Sequence, residues 1–178
     1  TKLRERVRGE IRDLQRRLDI TTAFVTHDQD EALSIVHVVV VMRSGRIEQI
    51  GSPLEIYQRP ANAFVADFIG ACNLVPARVI DAGNGDARCQ LASGVVISTH
   101  DDALRPGDAV TLGIRPERLT VTPARCPDTG GAAVGGVIRV VSYLGAKTSY
   151  EIDAGGVPLR CDVVSEPKPL AVGASVSL

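Results

Sequence analysis

ANAFVADFIGACNLVPARVI, residues 61–80, changes character half-way along. Its first half, ANAFVADFIG, reads as a short helix closed by Gly70, the residue type that ends helices most readily. After Gly70 the helical periodicity disappears. LVPARVI, CQLA, GVVIST, AVTLGI, LTVT, GGVIRVVSYL, TSYEID and VPLRCDVV follow, separated by Gly, Asp, Asn and Pro. Many short apolar runs at close spacing predict a small all-β barrel or sandwich. The change of pattern places a boundary at about residues 70–73, between a first domain over 1–70 and a second over 71–178.

Upstream of the boundary, helix and strand signals alternate. SPLEIYQRP offers a Ser cap with Pro at the first helical position, and Pro60 stops the helix. RIEQIG reads as a strand that the turn RSG joins to HVVVVM, giving a hairpin. HVVVVM does not alternate, so it is expected to be buried on both faces. DQDEALSIV reads as a helix with Asp28 or Thr26 available as its cap. ITTAFVT, before it, is rich in β-branched residues and predicts a short strand ending at His27. In the first twenty residues Leu3, Val7, Ile11, Leu14 and Leu18 fall at helical spacing between Arg and Glu, which predicts an amphipathic surface helix.

Composition bounds the function. The 178 residues are 44% apolar, and 20 basic against 21 acidic side chains leave a net charge of −1. That balance gives no electrostatic reason to expect a nucleic-acid partner. With three Phe, three Tyr and no Trp, platforms for stacking bases are also scarce. No apolar run reaches the length of a membrane span. The start TKLRERVRGE carries no leader pattern and reads as a chain cut inside a larger protein, and GASVSL reads as a strand cut at the other end. Cys72, Cys89, Cys126 and Cys161 are scattered without a C-x-x-C pair, so they are expected to be reduced structural residues rather than metal ligands. CPDTGGAAVGG is expected to be a flexible loop within the second domain.

Two long stretches carry a family resemblance. TKLRERVRGEIRDLQRRLDITTAFVTHDQDEAL and VMRSGRIEQIGSPLEIYQRPANAFVADFIG resemble the C-terminal part of the ATPase subunits of ABC importers. LGIRPERL and VVSYLGAKTSYEID resemble their accessory OB-like β-domain, TOBE. The resemblance implies the end of a P-loop-type α/β nucleotide-binding domain over 1–70, followed by an all-β TOBE domain over 71–178. It implies that His27 is the switch histidine, which contacts the γ-phosphate of ATP and helps position the attacking water. A donor placed on developing charge is the form of assistance that phosphoryl transfer needs. ATP and Mg2+ are the implied cofactors. The implied partners are a second ATPase subunit, transmembrane permease subunits and, indirectly, a periplasmic solute-binding protein, at the cytoplasmic face of the inner membrane. YLGAKTSYEI leans towards the polyamine and ferric-ion groups.

What the sequence lacks also counts. It contains no G-x-x-x-x-G-K-[ST] loop and no LSGGQ-type signature, so the chain by itself is expected to be inactive. It departs from the family at Val36, His37 and Val38, where a polar Ser-Asp-Arg type turn is usual. An alternative function keeps the second domain as a small-anion sensor built on Arg115, Arg118 and Lys147, without ATPase activity.

Overall fold

The computed structural model describes residues 2–18, 20–124 and 134–178. They form two compact units, Thr1–Gly70 and Ala71–Leu178. The first contains helices α1 (Lys2–Leu18) and α2 (Gln29–Ile35), strands β1 (Val39–Arg43) and β2 (Arg46–Gly51), and helices α3 (Pro53–Gln58) and α4 (Ala63–Phe68).

The local signals from residue 44 onward act as written. Ser44 and Gly45 both take positive φ, +49° and +77°, the geometry of a tight hairpin turn between β1 and β2. Ser52 accepts a hydrogen bond from the N–H of Glu55, whose carboxylate accepts from the N–H of Ser52 at 2.8 Å. This reciprocal pair starts α3 with Pro53 directly inside it. The Gln49 side chain then clasps the segment around Pro60, donating to the Arg59 carbonyl and accepting from the N–H of Ala61. Asn62 caps α4 by accepting from the N–H of Val65, and Gly70 follows the helix at φ +77°. Val39, Val41, Ile56, Val65 and Ile69 form the core of this unit, with Leu33, Val36, Tyr57 and Phe64 packed against it.

Two expectations fail in this unit. Residues 20–26 form no strand: they carry no regular structure, and Val25 is 96% exposed. β-branched composition favours a pleated backbone only where a neighbouring strand takes up its N–H and C=O groups. HVVVVM is not buried on both faces either. β1 begins at Val39, pairs among the described residues with β2 alone, and alternates between buried Val39 and Val41 and exposed Val40 and Met42. The sequence carries apolar side chains for two covered faces, and in the structure one is covered. His37 and Val38 precede the strand and are exposed, while Val36 joins the core.

The second unit is all β among the described residues, apart from one 3-10 turn at Pro116–Arg118. Its strands are β3 (Asn73–Gly83), β4 (Asp86–Leu91), β5 (Val96–His100), β6 (Ala109–Ile114), β7 (Thr122–Pro123), β8 (Gly135–Tyr143), β9 (Lys147–Ala154), β10 (Val157–Val164) and β11 (Ser175–Ser177). They pair antiparallel in two sheets, ordered β5-β4-β3-β6 and β10-β9-β8-β11-β7. Asn84 and Gly85, both at positive φ, turn β3 into β4. Of the expected strand LTVT only Thr122 extends, into β7 with Pro123. GASVSL supplies β11, paired with β7 on one side and β8 on the other. The loop expected within CPDTGGAAVGG lies largely outside the described residues, and its last two glycines open β8.

Apolar residues from both sheets meet in one cluster, with Val75 and Leu91 from the first and Ala154 and Leu159 from the second. Ile138, Tyr150, Ile152, Cys161 and Val176 form the neighbouring cluster. Asn73 joins the sheets through polar bonds. Its Nδ2 donates to the Arg160 carbonyl at 2.8 Å and its Oδ1 accepts from the Arg160 N–H at 2.7 Å. β10 is an edge strand, so this one amide does the work of a neighbouring strand at Arg160. Cys89 and Cys161 are buried free thiols and Cys72 is half-buried, in keeping with a packing role; Cys126 lies outside the described residues.

Candidate functional site

His27 occupies the bend between the irregular segment 20–26 and α2, and its ring is exposed. The turn is set locally, with the Thr26 hydroxyl accepting from the N–H of Asp28 at 2.9 Å. Thr26, one of the two caps expected from sequence, therefore orders the bend. Gln29 adds a long-range tie, its side-chain oxygen accepting from the N–H of Gly70 at 2.8 Å. Leu33 and Val36 anchor α2 against the core. The backbone on the C-terminal side of His27 is thus fixed, while the imidazole faces solvent. Such a group can exchange a hydrogen bond with a ligand arriving from outside. The histidine is not at the end of a strand, since the strand expected before it is not formed.

The basic residues considered as an anion site have other commitments. Lys147 lies 2.9 Å from the Asp162 carboxylate, and the Arg115 guanidinium donates to the Ala71 carbonyl at 3.2 Å. Arg118 is exposed at the end of the 3-10 turn. An anion arriving at Lys147 would have to compete with a carboxylate already in place.

That carboxylate gathers three polar side chains in the second unit, and the sequence pattern did not single it out. Asp162 accepts from Ser149 at 2.6 Å, from Arg160 through two nitrogens at 2.9 and 3.2 Å, and from Lys147. Burial alone would raise its pKa, but the bonds from Arg160, Ser149 and Lys147 outweigh it and hold the group at about 2, against an ordinary 3.8. Arg160 and Asp162 stand two apart on a strand, hence on one face, and that spacing was the available signal.

A pH dependence follows. Because the folded pKa is depressed, the stabilisation is fully present above pH 3.8 and is lost as pH falls towards 2. The difference is worth on the order of 2 kcal/mol. Denaturant unfolding between about pH 5 and about pH 2 is expected to show that loss, and Asp162→Asn is expected to flatten it. An unchanged slope in the variant would mean that other carboxylates govern the acid limb.

Comparison with known proteins places the chain. A family model described as the TOBE domain matches residues 112–178. The Fe(3+) ions import ATP-binding protein FbpC of Brucella abortus is 41% identical over 177 residues, which is 98% of this chain and 48% of the relative. Along nearly its whole length the chain is similar to the C-terminal part of ATP-binding subunits of ABC importers. The sulfate/thiosulfate import ATP-binding protein CysA 2 of Chromobacterium violaceum is 44% identical over 91% of the chain and 43% of its own length. The spermidine/putrescine import ATP-binding protein PotA of Mesorhizobium japonicum is 40% identical over 86% of the chain and 42% of its own. The chain spans about half the length of the curated relatives it matches, as their C-terminal part. A solved structure of the molybdate-binding protein ModG shares the fold, with a TM-score of 0.51 at 15% identity over 59% of this chain and 86% of that one. The OB-like, all-β character expected for the TOBE region is what these comparisons support.

Proposed function

We propose that the chain is the C-terminal portion of an ATP-hydrolysing, energy-coupling subunit of an ABC import system, with residues 1–70 closing its nucleotide-binding domain and 71–178 forming its TOBE domain. The observation that carries this reading is identity of 41% sustained across 177 residues, through both units, to a protein about twice as long.

In that subunit His27 is the group that meets the γ-phosphate of ATP. Its exposed ring on an anchored turn suits a single hydrogen bond to a phosphate oxygen. The rest of the ligand does not fit the residues present. A nucleotide triphosphate and its Mg2+ need a cradle of backbone N–H groups, a lysine, and hydroxyl and carboxylate ligands. The sequence contains no such glycine-rich loop, so the principal holders of ATP and Mg2+ belong to the other half of the subunit. The partners in this reading are a second ATPase subunit, membrane permeases and, through them, a periplasmic solute receptor. No helix among the described residues is long and apolar enough to cross a membrane, which suits attachment at the cytoplasmic face through the permeases. Of the solutes carried by related systems, polyamines and ferric ion are the proposed cargo class, on the YLGAKTSYEI stretch.

The test is a titration. One imidazole donor is worth about 1–3 kcal/mol, so the 178-residue chain is expected to bind Mg-ATP more weakly than about 1 mM by calorimetry. The longer subunit is expected to bind and hydrolyse it. Micromolar binding by the chain alone, or no hydrolysis by the longer subunit, would overturn the assignment.

A further inference from the structure

The ring of His27 is exposed and lies outside the core cluster of its unit, and the segment 20–26 before it carries no regular structure. The nearest regular element is α2, which starts two residues later at Gln29. Leu33 and Val36 pack against the core, but they lie a turn or more beyond that start. A helix of seven residues is marginal on its own and frays at its ends. Its first turn, and the bend in front of it, therefore need a tie of their own.

Gln29 supplies it. Its side-chain oxygen accepts from the N–H of Gly70 at 2.8 Å, joining residues 41 positions apart. Gly70 is a stiff anchor. It follows α4 at φ +77°, a backbone geometry that glycine adopts without strain. The end of α4 is seated by Val65, Ala66 and Ile69, all buried, and the Ile69 N–H donates to the Val65 carbonyl. The bond from the Asp28 N–H to the Thr26 hydroxyl shapes the bend, but it is local and does not fix where the bend sits. The bond from Gly70 does. We infer that Gln29 is a positioning residue for ATP hydrolysis, holding the bend so that the His27 ring is aimed at the reacting phosphate. The inference rests on the role proposed above for His27. Gln29 touches no reacting atom and acts through the histidine, where a misplacement of about 1 Å costs up to about 10²-fold in rate.

Gln29→Met in the longer subunit tests this. Methionine is unbranched like glutamine and has a similar helix propensity, but it lacks the amide oxygen that accepts from Gly70. Turnover, kcat, is expected to fall about 10-fold, with KM for Mg-ATP within about two-fold of the parent, because the cradle and metal carry most of the affinity. The deciding measurement is the same substitution in a His27→Ala background. A residue that acts through the histidine has nothing left to position there, so a further fall of less than about two-fold is expected. An equal fall in both backgrounds would show a general loss of structure and overturn the inference. A raised KM with parent-like kcat would overturn it as well. The two readings fail separately. If His27→Ala keeps the turnover of the parent, the role proposed for the histidine falls and the positioning falls with it. If His27→Ala is slow and Gln29→Met is not, the positioning alone is refuted.

Discussion

His27→Ala in the longer subunit is expected to reduce ATP turnover by about 10²–10³-fold while leaving nucleotide affinity within a factor of a few. The magnitude is that of removing one donor aimed at charge developing in the transition state. Affinity is spared because most of the binding energy for a triphosphate comes from the cradle and metal, to which the histidine does not belong. The structure removes the usual objection to such an experiment. The ring is exposed and lies outside the core formed by Val39, Val41, Ile56, Val65 and Ile69. Truncation should therefore leave the melting temperature unchanged, and a lost rate will be a lost interaction rather than a lost fold. His27→Gln, which keeps a donor of similar reach, is expected to fall between the alanine variant and the parent. Steady-state hydrolysis of the alanine variant within a factor of a few of the parent would refute the role proposed for this histidine.

Asn73→Ala is expected to be the most damaging polar substitution in the β-domain, costing about 2–4 kcal/mol. Two backbone groups of Arg160 would lose their partner at once, and each half-buried group left unsatisfied costs about 1–3 kcal/mol. For a domain of roughly 100 residues this corresponds to a fall of about 10–25 °C in melting temperature. Asn73→Asp keeps an acceptor for the Arg160 N–H but sets a carboxylate oxygen against the Arg160 carbonyl, so it is expected not to rescue the loss seen with alanine. Thermal unfolding followed by circular dichroism decides the matter. A cost below about 1 kcal/mol for the alanine variant would show that water satisfies the edge of β10 unaided.

These two residues also show what could and could not be read from the chain. The hairpin turn at Ser44–Gly45, the Ser52 cap and the strands after Gly70 were legible because each depends on residues within a few positions of one another. The strand expected at 20–26 depends on a neighbour that local composition cannot supply, and without one the same residues stay irregular. HVVVVM was read as buried on both sides for the same reason, since the pattern records how many faces are apolar and not which are covered here. His27 was legible as a candidate through the motif around it, although its position on a bend rather than a strand end was not. Asn73 and Arg160 lie 87 residues apart, and Asp162 draws its partners from two strands. Neither arrangement leaves a trace at short range beyond the spacing of Arg160 and Asp162.

The bond from Gly70 to Gln29 has a consequence that concerns signalling rather than stability. Gln29 is two positions from the histidine, and Gly70 is the last residue of the first unit before the chain passes into the second. One hydrogen bond therefore couples the conformation of the bend to that of the exit point, by about the 0.5–1.5 kcal/mol that such a bond contributes. By reciprocity, an effector that favours one arrangement of the exit would change the affinity of the bend for the nucleotide proposed above by the same factor with which that nucleotide changes the effector's own binding.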